Sequence, residues 1–200
     1  MEGKISFPLK WDKLTAAVAY LTERSRHDDH FGFPKLVKLL YYADCAAYIR
    51  TGQPITDVTY VHMPHGPYPD DWTAMLKRLE DEQAIKTLKE YAPKGYWTHR
   101  PAASDAAAAA ALTEKERSFL DEQLRQFADF SAAEIEEYSH DELAWGATAQ
   151  GEVMPYELCG IRMPGPVTDD VRQRAQRIAE DIRSNGRQVS RILVERRDAV

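Results

Sequence analysis

Residues 35–50 read KLVKLLYYADCAAYIR. On a 3.6-residue period Leu36, Leu40, Ala43 and Ala47 fall on one stripe, and Val37, Tyr41 and Tyr48 widen it over most of the circumference. A helix apolar on nearly every side is stable only when protein surrounds it, so the fold must be built around this segment. Pro34 stands at its first helical position, and Gly52 just past its end suits a left-handed cap. Asp44 interrupts the apolar run. A buried carboxylate without a partner is costly, so Asp44 needs donors from elsewhere in the chain.

The neighbouring segments supply candidates for that surround. Leu14, Ala17, Val18 and Leu21 give Trp11–Arg26 an apolar face, with Asp12 in the first turn. Thr56–Met63 alternates apolar and polar residues and reads as a strand. A loop punctuated by Pro64, Gly66, Pro67 and Pro69 follows. Asp70 and Asp71 then introduce a helix whose buried stripe is Trp72, Met75, Leu76 and Leu79. Ile85–Tyr91 and Tyr96–Arg100 flank Pro93-Lys94-Gly95 as a short hairpin. The stretch Ala102–Ala111 reads as a surface connection between two sub-blocks.

Two capping boxes open the second half. Thr113 with Glu116 starts a helix to about Ala128, and Ser131 with Glu134 starts another to about His140. Thr168, followed by Asp169 and Asp170, caps a last helix carrying Val171, Ala175, Ile178 and Ile182, which Asn185-Gly186 interrupts before Val189 and Ile192. The fold class expected is mainly α: a single helical domain over residues 1–167, with a small antiparallel β element. A C-terminal helical arm rich in Arg occupies 168–200.

Net charge is −6, but it is unevenly placed. Residues 1–100 carry +1, residues 101–167 carry −9, and residues 168–200 carry +2 with all bases Arg. A nucleic-acid binder concentrates positive charge on its main domain. The acidic middle third instead favours a basic protein partner, and Glu134, Glu136, Glu137 and Asp141 are the candidate partner-binding residues. The bland counterpart is a solvated helix face. The longest stretch free of Asp, Glu, Lys and Arg, Val58–Pro69, holds two His and three Pro and cannot span a bilayer. MEGKISFPLK has no apolar core of a secretory signal. Cys45 and Cys159 read as separate free thiols, which together predict a cytoplasmic protein.

No catalytic constellation emerges, and no cofactor is expected. His62 and His65, completed by Asp44, Cys45 or His140, could ligate a metal, and a metal-dependent hydrolase would use His62, His65 and His140. The pair, however, sits on a strand end and a Pro-rich turn. Cys45 lies mid-helix on an apolar face and Cys159 beside Glu157, neither of which activates a thiol. Phosphate-binding glycine motifs are absent. A winged-helix-like DNA-binding regulator is the alternative, with Lys35 and Lys38 on the second helix and Ile85–Arg100 as the wing, although that helix leaves little polar surface for base edges.

Lys38-Leu39-Leu40-Tyr41-Tyr42-Ala43-Asp44, then Gly52, Pro54-Ile55 and His65-Gly66-Pro67, resembles the first half of the Panacea domain, the SocA-like antitoxin domain also found in phage-associated proteins. Ser131-x-x-Glu134, Ser139-His140 and Trp145 fit its second half. The resemblance implies a non-enzymatic antitoxin that neutralises a toxin by direct protein–protein binding, with delivery to a ClpXP-type protease as one mode of action. The partner is then a cognate toxin, basic in character, and the Arg-rich arm leaves a homodimer mate open as a second. The motif residues Tyr41, Asp44, His65, Gly66, Pro67, Ser139, His140 and Trp145 are expected to be structural. Asp44, His65 and His140 are expected to join the two halves in one polar network over the Gly66-Pro67 turn.

Overall fold

The computed structural model describes residues 8–91, 97–103, 111–163, 165 and 167–185. Helix α1 spans Trp11–Arg24 and α2 spans Phe33–Thr51. Thirteen of the nineteen α2 residues are buried, including Lys35, Lys38 and Asp44, so α2 is the axis of the molecule. Gly52 ends it in the left-handed region (φ 77°), its N–H on the Tyr48 carbonyl at 2.8 Å. Leu14, Ala17, Val18 and Leu21 of α1 are fully buried and pack in the same cluster as Leu36, Leu39 and Leu40 of α2. Each such Leu stabilises the fold by about 1.5–3 kcal/mol relative to exposure.

After α2 the chain forms an antiparallel hairpin, β1 (Tyr60–Met63) with β2 (Gly66–Pro69), pairing Tyr60 with Pro69 and Met63 with Gly66. The strand expected over Thr56–Met63 is therefore only half as long. The Thr56 N–H donates to the Asp44 side chain at 2.9 Å rather than to a ladder, and Asp57 takes φ 55°, which no strand accommodates. The outer edge of β1 is covered by residues 151–154: His62 N–H donates to the Glu152 carbonyl and Met154 N–H to the Tyr60 carbonyl, both at 2.9 Å. Covering an edge this way removes a template for unwanted strand pairing.

Helix α3 (Trp72–Asp81) leads into a second hairpin, β3 (Ile85–Tyr91) with β4 (Trp97–Ala103), in the register Ile85–Ala103 to Tyr91–Trp97. The Pro93-Lys94-Gly95 turn and residues 104–110 of the alanine tract lie outside the described residues. Helices α4 (Glu114–Gln126) and α5 (Ala132–His140) both start with complete capping boxes. At Ser131 the Glu134 N–H reaches the hydroxyl while Ser131 N–H donates back to the Glu134 carboxylate at 2.8 Å. Helix α6 (Leu143–Gly146), a 3₁₀ turn at Tyr156–Leu158 and α7 (Asp169–Asn185) follow among the described residues. Among the described residues the architecture is mainly α with two small two-stranded antiparallel sheets, one more than the single element expected. Ala175 and Ala179 of α7 are buried in the main core, and Arg183 pairs with Glu157 at 3.3 Å, so the described part of the Arg-rich arm lies back on the acidic third. Residues Val189 and Ile192 fall outside the described residues.

The expectation of two free thiols is overturned. Cys45 and Cys159 form a disulfide with their Cα atoms 5.6 Å apart, joining the middle of α2 to the residue after the 3₁₀ turn. A separation of 114 residues hides that proximity from any spacing rule. The inference of a reducing compartment from free thiols falls with it.

Candidate functional site

The family-motif residues gather where α2, the β1–β2 hairpin, α5 and α6 meet. Asp44 is fully buried and accepts three hydrogen bonds, from Thr56 N–H at 2.9 Å, the Thr56 hydroxyl at 2.5 Å and the Tyr60 hydroxyl at 2.8 Å. Burial pushes its carboxyl up to about 6, against the opposing effect of those donors. Tyr60 meets Tyr41 edge-to-face, ring centroids 5.0 Å apart. Tyr41 in turn donates to the carboxylate of Glu142 at 2.9 Å. Glu142, 2% exposed, is pushed up to about 7 by burial, with the Tyr41 bond opposing. Two carboxylates, each held by a tyrosine, thus run through the core as one polar seam.

Beside this seam the hairpin is clamped between α2 and α5. Lys38, 2% exposed, donates to the Pro67 carbonyl at 3.0 Å and lies 5.2 Å from the Tyr68 ring centroid. Burial pulls its ammonium down to about 8, with nearby Glu136 acting the other way. Gly66 adopts φ 85°, and a Cβ there would collide with Ser139 Oγ and stand 2.8 Å from Lys38 Cε. Only glycine lets the hairpin approach α2 and α5 this closely. Ser139 is buried and donates to the Glu136 carbonyl at 2.6 Å.

Trp145 forms the third cluster. The rings of His62 and His140 both stack on its indole, at 4.3 Å and 4.2 Å, and its Nε1–H donates to the Met63 carbonyl at 3.3 Å. His62 Nδ1 lies 3.1 Å from the Trp145 carbonyl, which can only accept, so Nδ1 carries the proton. Burial lowers the His62 pKa.

The single Asp44–His65–His140 network expected from the sequence is therefore three separate clusters. Asp44 is satisfied by Thr56 and Tyr60. His65, its side chain 79% exposed, pairs with Glu136 at 2.9 Å. His140 stacks on Trp145. The residues missed were Thr56, Tyr60 and Glu142, and Lys38, expected as a DNA-facing base, is instead a buried clamp. Lys38 and Glu142 carry the same signal as Asp44, a charge set against apolar neighbours, and were legible in principle.

Other expectations resolve similarly. No group of three or more His, Cys, Asp or Glu side chains suited to a metal ion occurs among the described residues. Lys35 and Lys38, the bases of the DNA-binding alternative, are buried; Lys35 donates to the Phe130 carbonyl at 2.6 Å and pairs with Asp28 at 2.7 Å. With thirteen of its nineteen residues buried, both lysines among them, α2 offers no basic face to a DNA groove. Of the acidic candidates, Glu134 caps α5, Glu136 holds His65, and Asp141 pairs with Arg162 at 2.8 Å; Glu134, Glu137 and Asp141 are exposed. No helix among the described residues is long and apolar enough to cross a membrane.

A central helix clamping a hairpin through buried carboxylate–tyrosine pairs defines a helical scaffold domain. The family described as Antitoxin SocA-like, Panacea domain matches residues 36–146, from the second turn of α2 to the end of α6. The chain belongs to this family, which carries a toxin–antitoxin role. No curated protein and no solved structure matches the chain.

Proposed function

We propose that the chain is the antitoxin of a toxin–antitoxin pair and silences its toxin by direct protein–protein contact, without chemistry of its own. The observation that carries this reading is the family match over residues 36–146. The −9 charge of residues 101–167 supports a basic toxin, because opposite fields accelerate encounter and disfavour wrong partners.

Co-expression with the product of the adjacent open reading frame tests it. That product alone is expected to arrest growth, the present chain to relieve the arrest, and the two to co-purify. A harmless neighbour that does not co-purify overturns the reading. The half-life of the neighbour's product, with and without a ClpXP-type protease, separates steric block from proteolytic delivery.

A further inference from the structure

On the side of β1 away from the Lys38–Gly66 clamp, a cleft of about 700 Å³ opens between residues 57–60, the loop 151–157 and α7. This is the size of a site that takes several side chains, not one. Asp57, Asp70, Glu152, Glu157 and Glu180 line it, and Arg183 is the one basic residue among its lining. A concave, acidic wall focuses field onto any cation that enters.

Two observations identify the chemistry that fits. The Asp57 side chain is 4% exposed, and Lys10 engages its Oδ2 at 3.0 Å, yet its buried Oδ1 has no hydrogen-bond partner among the described residues. An orphaned carboxylate oxygen is a standing demand for a donor. The second is the group that the chain itself places in the cleft: Arg183 sets its guanidinium Nε 3.3 Å from Glu157. A guanidinium carries five donors in a rigid fork and matches carboxylates better than an ammonium does. Asp70 and Glu180 are exposed in the same wall and remain to receive further cations.

We infer that this cleft is the docking site for an arginine-bearing segment of the toxin, whose guanidinium groups join Arg183 against the carboxylates of the wall. The inference rests on the antitoxin reading and adds the surface and the chemistry to it. It places the contact on a different surface from Glu134, Glu136, Glu137 and Asp141, none of which lines the cleft.

The test measures affinity for the purified product of the adjacent open reading frame at 50 and 300 mM NaCl. Full-length wild type is compared with the double variant Asp70→Asn/Glu180→Gln and with the control Glu137→Gln. The double variant is expected to bind about tenfold more weakly at low salt, the gap narrowing at high salt, with the control unchanged. Wild-type affinity in the double variant overturns the inference while leaving the antitoxin reading intact. No binding by wild type overturns that reading, and this inference with it. The third occupant to consider is the chain's own Arg-containing segment after residue 185. If the double variant, free of toxin, becomes rapidly cleaved by trypsin after Arg187, that segment fills the cleft and the inference is overturned.

Discussion

Asp44→Asn separates the charge of the buried carboxyl from its shape. The folded protein holds this carboxyl at about 6, against an ordinary 3.8. The folded state therefore binds the proton more tightly than the unfolded chain does. The stability that protonation contributes is fully present below about pH 3.8 and is lost as pH rises through 6. From those two values the loss amounts to roughly 3 kcal/mol at pH 7. Asparagine cannot ionise, yet it keeps one oxygen for Thr56 N–H, and its amide can donate to the Thr56 or Tyr60 hydroxyl, which then turns to accept. Urea denaturation followed by tryptophan fluorescence, at pH 4 and pH 7.5, reads the difference between wild type and variant. That difference is expected to shift by roughly 2 kcal/mol in favour of the variant at the higher pH, less than the full loss because the unfolded carboxyl is already mostly ionised at pH 4. Other titrating groups, Glu142 included, cancel in the comparison. Asp44→Ala, which orphans three buried donors at about 1–3 kcal/mol each, is expected to be less stable than Asp44→Asn at both pH values. A wild-type-to-Asn difference independent of pH would refute the claim that an ionised Asp44 works against the fold. An Ala variant as stable as the Asn variant would refute the hydrogen-bond assignment.

Gly66→Ala is expected to lower stability by about 2–4 kcal/mol, from its left-handed backbone and the collision with Ser139. Adding Ser139→Ala removes the obstructing hydroxyl, so the double variant's loss, read by thermal denaturation, should fall below the sum of the two single losses. Reduction of Cys45–Cys159 releases a covalent link across 114 residues and is expected to cost roughly 4–5 kcal/mol by chain entropy. Melting with and without a phosphine reductant checks this, and Cys159→Ala should melt identically in both conditions.

The longer helices were legible because each states its own period or cap, whereas four-residue α6 has neither. Leu14–Leu21 and Leu36–Ala47 mark their buried faces, while Thr113 and Ser131 mark helix starts through bonds only three residues long. Readings failed where the deciding contact was distant. Thr56 and Asp57 have a strand-like pattern, but Asp44, twelve residues earlier, claims the Thr56 N–H. A carboxylate on an apolar helix demands partners, yet no local rule ranks Thr56 and Tyr60 above His140 for Asp44. The fate of Lys35 and Lys38 was hidden by a different effect. Lysine is expected at a surface, and it takes the arriving carbonyls of Pro67, Ala128 and Phe130, with the Asp28 carboxylate on Lys35, to make an interior ammonium tolerable.

The recognisable family segment and the folding unit are not the same length of chain. Residues 36–146 contain the clamp, the tyrosine seam and both capping boxes. Yet Leu14, Ala17 and Leu21 before that segment, and Met154, Leu158, Ala175 and Ala179 after it, belong to one continuous hydrophobic cluster with α2. A fragment trimmed to the family boundaries would leave α2 with bare sides, the outer edge of β1 unpaired and Cys45 without its mate. Relatives that keep the motif but replace these flanks must therefore carry some other wrapping for the same axial helix.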